Sequence, residues 1–185
     1  MLHLKASATV LLAAILALAP PARAAQPLQL IDQTGHAFTF ASLQGKPLIV
    51  TFVAAHCTDA CPLINAQFEQ ADQLFAQRHL DVRLLTVTLD PEHDPPAVMR
   101  DLAHRFNANP KRWMFASGSV KNVHAVMSVF GVQAERGRSG YADVHTTFVY
   151  LFDKRGRLSK TILASTILGA QLADEVRTQW RKLEQ

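Results

Sequence analysis

Cysteine is scarce in this chain: Cys57 and Cys61 are the only two in 185 residues. Two cysteines are too few for a disulfide scaffold, and a chain of this length builds one domain with a core of its own. A staple closing so short a loop would also constrain the unfolded chain weakly. A purely structural disulfide is therefore a poor account of the pair. Lys and Arg form no runs, so the basic footprint of a nucleic-acid partner is missing. Internal repeats and low-complexity tracts are absent. Past the N-terminus, no apolar stretch is long enough to span a bilayer. No proline follows Pro110.

The N-terminus carries a different signal. "MLHLK" supplies a short basic start, and an apolar run of about 14 small and aliphatic residues follows. The pattern closes on Ala22-Arg23-Ala24, a small-x-small cleavage sequence. Residues 1–24 read as a secretory signal peptide and residues 25–185 as the functional domain. The expected location is the periplasm, across the inner membrane. An uncleaved anchor is the alternative, although the run is short for a bilayer span. Without Lys5 and Arg23 the 19 basic residues fall to 17 against 15 acidic ones, a net charge of about +2. Outside the cytosol, an idle pair of thiols tends to oxidise.

The remaining chain alternates strands and helices. "QPLQLIDQTGHAFTFASLQGKP" reads as a short hairpin turning at Thr34-Gly35. "PLIVTFV" (47–53) is a continuous apolar, β-branched run suited to a strand covered on both faces. After the cysteines, Ile64, Phe68, Ala71, Leu74 and Phe75 share one helical face. "VRLLTVTL" (82–89) is a second buried strand. Asp94 then offers an N-cap, with Pro95 opening a helix that runs to about Phe106. "RWMFAS" gives a short strand. Ser117 or Ser119 caps the next helix, which carries Val123, Val126, Met127 and Phe130 and ends at Gly131. A polar Gly-rich loop, "ERGRSGYADVH", precedes "TTFVYLFD" and "LSKTILA", a hairpin turning at Lys154-Arg155-Gly156. A last helix aligns Leu168, Leu172, Val176, Trp180 and Leu183. The predicted order is β-β-β-α-β-α-β-α-β-β-α. It implies an α/β fold with a central mixed sheet, helices on both faces and a short N-terminal hairpin. In such sheets, sites gather at the carboxyl ends of strands, where Cys57 and Cys61 fall.

At a helix entry the two cysteines would lie one turn apart on one face. The helix N-terminus favours thiolate and lowers a cysteine's pKa. Such a pair suits either disulfide exchange or a soft metal such as Cu(I) or Zn(II). Two thiolates leave a metal site incomplete, so a third ligand is needed. Seven of the eight histidines follow the signal peptide. His56 adjoins Cys57 but points elsewhere. His79, His93 and His104 lie on polar or helix-terminal stretches, His36 in a turn and His124 on an amphipathic helix. His145 stands at the start of a central-looking strand, which brings it toward the cysteine edge.

"HCTDACP", "TLDPEHDPPAVMRDLAHRF" and "HTTFVYLFDKRG", in that order, resemble the Sco (SenC) family. These are copper-binding proteins of the thioredoxin fold that help assemble the copper sites of cytochrome c oxidase. The family pattern is C-x-x-x-C-P, then D-P-x-x-D, then a histidine five residues before a tyrosine and eight before an aspartate. These positions fall on Cys57, Cys61 and Pro62, on Asp90, Pro91 and Asp94, and on His145, Tyr150 and Asp153. The resemblance implies a copper metallochaperone that binds Cu(I) and Cu(II) through Cys57, Cys61 and His145. Two soft thiolates suit Cu(I), and an added imidazole lets the same site hold Cu(II). The implied partners are a copper-accepting protein, an oxidase subunit foremost, and a copper donor or thiol reductant. Asp59 matches an acidic position between the family cysteines. The family's aspartate before the histidine and serine after it are here Val144 and Thr146, with Asp143 one residue earlier. Many members are anchored in the membrane, whereas this N-terminus looks cleavable.

The rival readings are enzymatic or regulatory. Thioredoxin-like oxidoreductases usually carry C-x-x-C and a proline facing the cysteines; this chain has C-x-x-x-C and His145 near that place. Reduction of a copper-site partner's cysteines nevertheless needs only the same thiolates. A peroxiredoxin would place threonine three residues before its reactive cysteine, where Ala54 stands before Cys57. Thr58 has that spacing to Cys61, but the accompanying proline is missing. A copper or redox sensor would use the same site as a chaperone.

Overall fold

The computed structural model describes residues 27–58, 60–143, 148–164 and 169–184. The expected signal peptide lies outside the described residues. A short N-terminal hairpin pairs β1 (Leu30–Asp32) with β2 (Ala37–Phe38). Its turn closes on the Asp32 carboxylate, which accepts the N–H groups of Thr34 and His36 at 2.8 and 3.0 Å. Gly35 supplies the positive φ (88°) that the turn requires. A single 3-10 turn (Phe40–Leu43) leads into β3 (Leu48–Val53), in which every residue is buried.

Among the described residues, four α-helices and six further strands follow. They are α1 (Ala60–Gln77), β4 (Arg83–Thr88), α2 (Pro96–Arg105), β5 (Trp113–Ser117) and α3 (Val120–Val129). A small hairpin, β6 (Glu135–Arg136) and β7 (Ala142–Asp143), precedes β8 (Phe148–Phe152), β9 (Leu158–Leu163) and α4 (Gly169–Leu183). The main sheet runs β2-β1-β5-β4-β3-β8-β9. Strands β3, β4 and β5 are parallel, and both flanks are antiparallel. The mixed sheet matches the expected order, with one addition: "ERGRSGYADVH" contains the β6–β7 hairpin. Two-residue strands carry no periodicity, so they leave no mark in the sequence.

Helices cover both faces of the sheet. Ile49, Val53, Leu84, Trp113, Phe115 and Leu151 pack against α1, α2 and α4 in one core. Val50, Phe52, Leu85, Val87, Met114 and Tyr150 meet α3 and the N-terminal segment in the other. The alternation along β3 shows why its run is continuously apolar: neither face meets water. Gln33 extends the β1–β5 ladder with a side chain. Its amide donates to the Trp113 carbonyl and accepts the Phe115 N–H, at 2.9 and 2.8 Å. A buried backbone that β1 is too short to pair is satisfied in this way.

Two capping expectations are settled by the structure. Ser119, rather than Ser117, caps α3 and accepts the Asn122 N–H. Asp94 is not the cap of α2; Pro95 holds that position and Pro96 the first helical one. Two successive prolines remove N–H groups that would otherwise need a cap. The Asp94 carboxylate is free for another task. No helix among the described residues is long and apolar enough to cross a membrane.

Candidate metal and thiol site

The parallel strands β3 and β4 end together, and their carboxyl-side loops build the site. Cys57 lies in the loop after β3 and is half-buried; Cys61 enters the first turn of α1 and is only 2% exposed. Cys57 packs against both cores, at the seam where the sheet ends. Both cysteines are thiols. The Ala54 N–H donates to Cys61 Sγ at 3.4 Å. Even so, burial dominates at Cys61. It pushes the thiol above its ordinary range, against the Ala54 hydrogen bond, and the Cys57 side chain adds to the rise. Against the expectation of a lowered pKa at the helix entry, desolvation of the buried Cys61 thiol outweighs the hydrogen bond from Ala54. Cys57 is the sulfur that a partner can reach.

The loop between β4 and α2 grips the cysteine loop from one side. Asp94 is fully buried. Its Oδ2 accepts the Ala55 N–H at 2.9 Å and the Thr88 hydroxyl at 2.7 Å. Burial raises the Asp94 pKa, opposed by these two hydrogen bonds. Its carbonyl accepts the Ser117 hydroxyl at 2.6 Å, tying the loop to the end of β5.

Asp90 holds the opposite side. Its Oδ2 accepts the Ala142 N–H, where β7 begins, and meets His93 Nδ1, each at 2.9 Å. Its Oδ1 lies 3.5 Å from Arg136 Nη1. Arg136 also donates to the Gly140 carbonyl and pairs with Glu92. The D-P-x-x-D stretch therefore has a structural meaning: one carboxylate holds the cysteine loop, and the other holds the β6–β7 hairpin above it. Tyr141, at the hairpin's return, stacks on His56 with ring centroids 4.3 Å apart and meets His93 edge-on at 4.8 Å. His93 is a partner of Asp90 rather than a simply solvated residue. His56 stacks on an aromatic ring that sequence reasoning did not select. The signal available in the sequence was only that Tyr141 lies four residues before His145.

His145 and Asp59 lie outside the described residues, as do Val144 and Thr146. On either side of His145, β7 ends at Asp143 and β8 begins at Phe148. The Phe148 carbonyl accepts the Thr51 hydroxyl of β3 at 3.3 Å. Among the described residues, no three His, Cys, Asp or Glu side chains form a ligand set. Tyr150 sits deeper, donating to the Phe130 carbonyl at 2.9 Å where α3 ends. Asp153 organises the β8–β9 turn. His36, His79, His104 and His124 are exposed.

A mixed sheet with two thiols past an inner parallel strand and an acidic loop beside them defines a thioredoxin-like protein with a dithiol site. The SCO1/SenC family model matches residues 17–181, and the chain belongs to that family. A SCO2-like protein of Rickettsia prowazekii is 28% identical over 136 residues, covering 72% of this chain and 66% of the relative. The chain thus spans about two thirds of that relative's length. Two similar structures were solved with copper bound. The ScoI of Arabidopsis thaliana is 25% identical with a TM-score of 0.75, covering 84% of this chain and 97% of that one. The ScoI of Bradyrhizobium japonicum is 28% identical with a TM-score of 0.72, covering 82% and 96%.

Proposed function

We propose that this chain is a periplasmic copper metallochaperone that binds one copper ion through Cys57, Cys61 and His145. It delivers the ion toward the copper site of cytochrome c oxidase. The observation that carries this reading is the pair of thiols at the carboxyl end of β3, one buried and one reachable, in a family with copper-bound members. The donor set suits the cargo. Two sulfurs hold Cu(I) in low coordination, and one imidazole admits Cu(II). The half-exposed Cys57 lets an acceptor thiolate enter, so the ion moves by ligand exchange without leaving sulfur. Residues 1–24 are read as the signal peptide that brings the domain of residues 25–185 to the periplasm.

An anaerobic titration of the reduced protein with Cu(I) against a competing chelator tests the reading. One tight equivalent is expected, lost in Cys57→Ser. His145→Ala should weaken Cu(II) about tenfold or more beyond its effect on Cu(I). Equal losses for both ions would remove His145 from the ligand set.

A second reading follows from the unequal exposure of the two thiols. Cys57 can attack a partner's disulfide, and the buried Cys61 can then displace the partner from the mixed disulfide. This reductase would act on the cysteines of a copper-site protein. If Cu(I) does not compete with the chelator, turnover of a disulfide substrate becomes the deciding assay.

A further inference from the structure

The loop that carries Cys57 packs Ala55 and Cys57 against the cores but makes few hydrogen bonds among the described residues. The Cys57 N–H donates to the Ala54 carbonyl at 3.2 Å, and the Ala55 N–H is held by Asp94. Between Ala55 and Cys57 stands His56, whose side chain is exposed and stacked on Tyr141. Cys61, by contrast, is fixed by α1 and the core around it. The relative placement of the two sulfurs therefore depends on what restrains residues 55–57.

Tyr141 can restrain them only if its own hairpin is held, and the structure holds it at several points. The β6–β7 pairing aligns Arg136 with Ala142. The Gly137 N–H donates to the Tyr141 carbonyl at 3.0 Å, closing the turn. Asp90, itself 2% exposed, takes the Ala142 N–H. Arg136 bridges Asp90, Glu92 and the Gly140 carbonyl. His93 completes the contact by placing its ring edge-on to Tyr141 while bonded to Asp90.

We propose that Tyr141, anchored through Arg136 and Asp90, is a positioning residue that clasps His56 and so holds the Cys57 sulfur in register with Cys61. Its copper consequence rests on the reading given above; its effect on the thiol does not. Ring stacking is the operative contact, so the phenyl ring alone suffices. Without it, residues 55–57 open more often, and Cys57 spends less time where both sulfurs can share one ion.

The test compares Tyr141→Ala, Tyr141→Phe and Arg136→Gln in the reduced full-length protein. Two quantities are measured: the alkylation rate of Cys57 with iodoacetamide, resolved by mass spectrometry, and Cu(I) affinity against a chelator. Local opening should raise the alkylation rate about fivefold or more in Tyr141→Ala. Cu(I) affinity should fall about tenfold, the scale typical of outer-sphere partners. Arg136→Gln should move both in the same direction, and Tyr141→Phe should match the parent. Unchanged alkylation in Tyr141→Ala would overturn the clasp, as would a Tyr141→Phe variant as impaired as alanine. A fall in copper affinity that merely follows a lowered melting temperature would also overturn it. If the parent binds no copper, the chaperone reading fails, and the alkylation arm still decides the clasp.

Discussion

At the turn joining β8 to β9, Asp153 is nearly buried, and three donors converge on its carboxylate. The Arg155 and Arg157 N–H groups reach Oδ1 at 3.0 and 2.9 Å, and Arg157 Nε reaches Oδ2 at 2.7 Å. Burial works to raise its pKa, but these bonds outweigh it and hold the carboxyl below the usual range. The unfolded chain therefore binds this proton more readily than the folded one. The stabilisation is complete above the unfolded pKa of about 4 and is lost as pH falls through the lower folded value. Asp153→Asn should cost about 1–3 kcal/mol at pH 7, and the difference from the parent should shrink in acid. Urea unfolding at pH 7 and at pH 3 checks both; an equal difference at the two pH values would assign the effect to something other than the charge. At this scale the sequence was informative but incomplete. C-x-x-x-C-P and D-P-x-x-D are visible as spacings. Asp94's real partner is an N–H 39 residues away, so local capping rules selected the wrong role for a carboxylate consumed by tertiary structure.

Helices α1 and α4 pack against the same face of the sheet, and their approach is set at one point. A Cβ on Gly169 would lie 2.4 Å from the Gln67 carbonyl oxygen of α1, so the first residue of α4 has room for hydrogen only. Its N–H donates to Gln67 Oε1 at 2.6 Å, locking the same contact. Gly169→Ala must push the helices apart and should destabilise by about 1–3 kcal/mol. A thermal melt within a degree of the parent would show that α4 can shift freely. Farther along, the Asp72 carboxylate takes Arg112 Nε and Nη2, each at 2.8 Å, pinning α1 to the start of β5. The helices over the cores were legible because burial imposes a 3.6-residue period on ten or more residues, and the central strands because burial on both faces leaves short continuous apolar runs. The β6–β7 hairpin was not. It is held by Asp90, Arg136 and a stacked ring, and none of these has a period.

Across the whole molecule, distant parts of the chain meet at the carboxyl end of β3. The cysteine loop comes from residues 54–57, its acidic support from residues 90–94 and its aromatic cover from residue 141. The parallel core explains why the candidate site was sought at this end of the sheet: adjacent parallel strands deliver their loops to the same edge. His145 is proposed as third ligand from the family pattern alone, and its test is the Cu(II)-to-Cu(I) comparison. This wide spacing also orders events in time. A chain that emerges from its N-terminus presents both thiols early, receives the Asp94 support some forty residues later, and gains the Tyr141 ring only when about three quarters of it is complete. Until then His56, next to Cys57, lacks the ring that it stacks on in the finished fold. The surroundings of the two thiols are thus completed late in synthesis, long after the thiols themselves have been made.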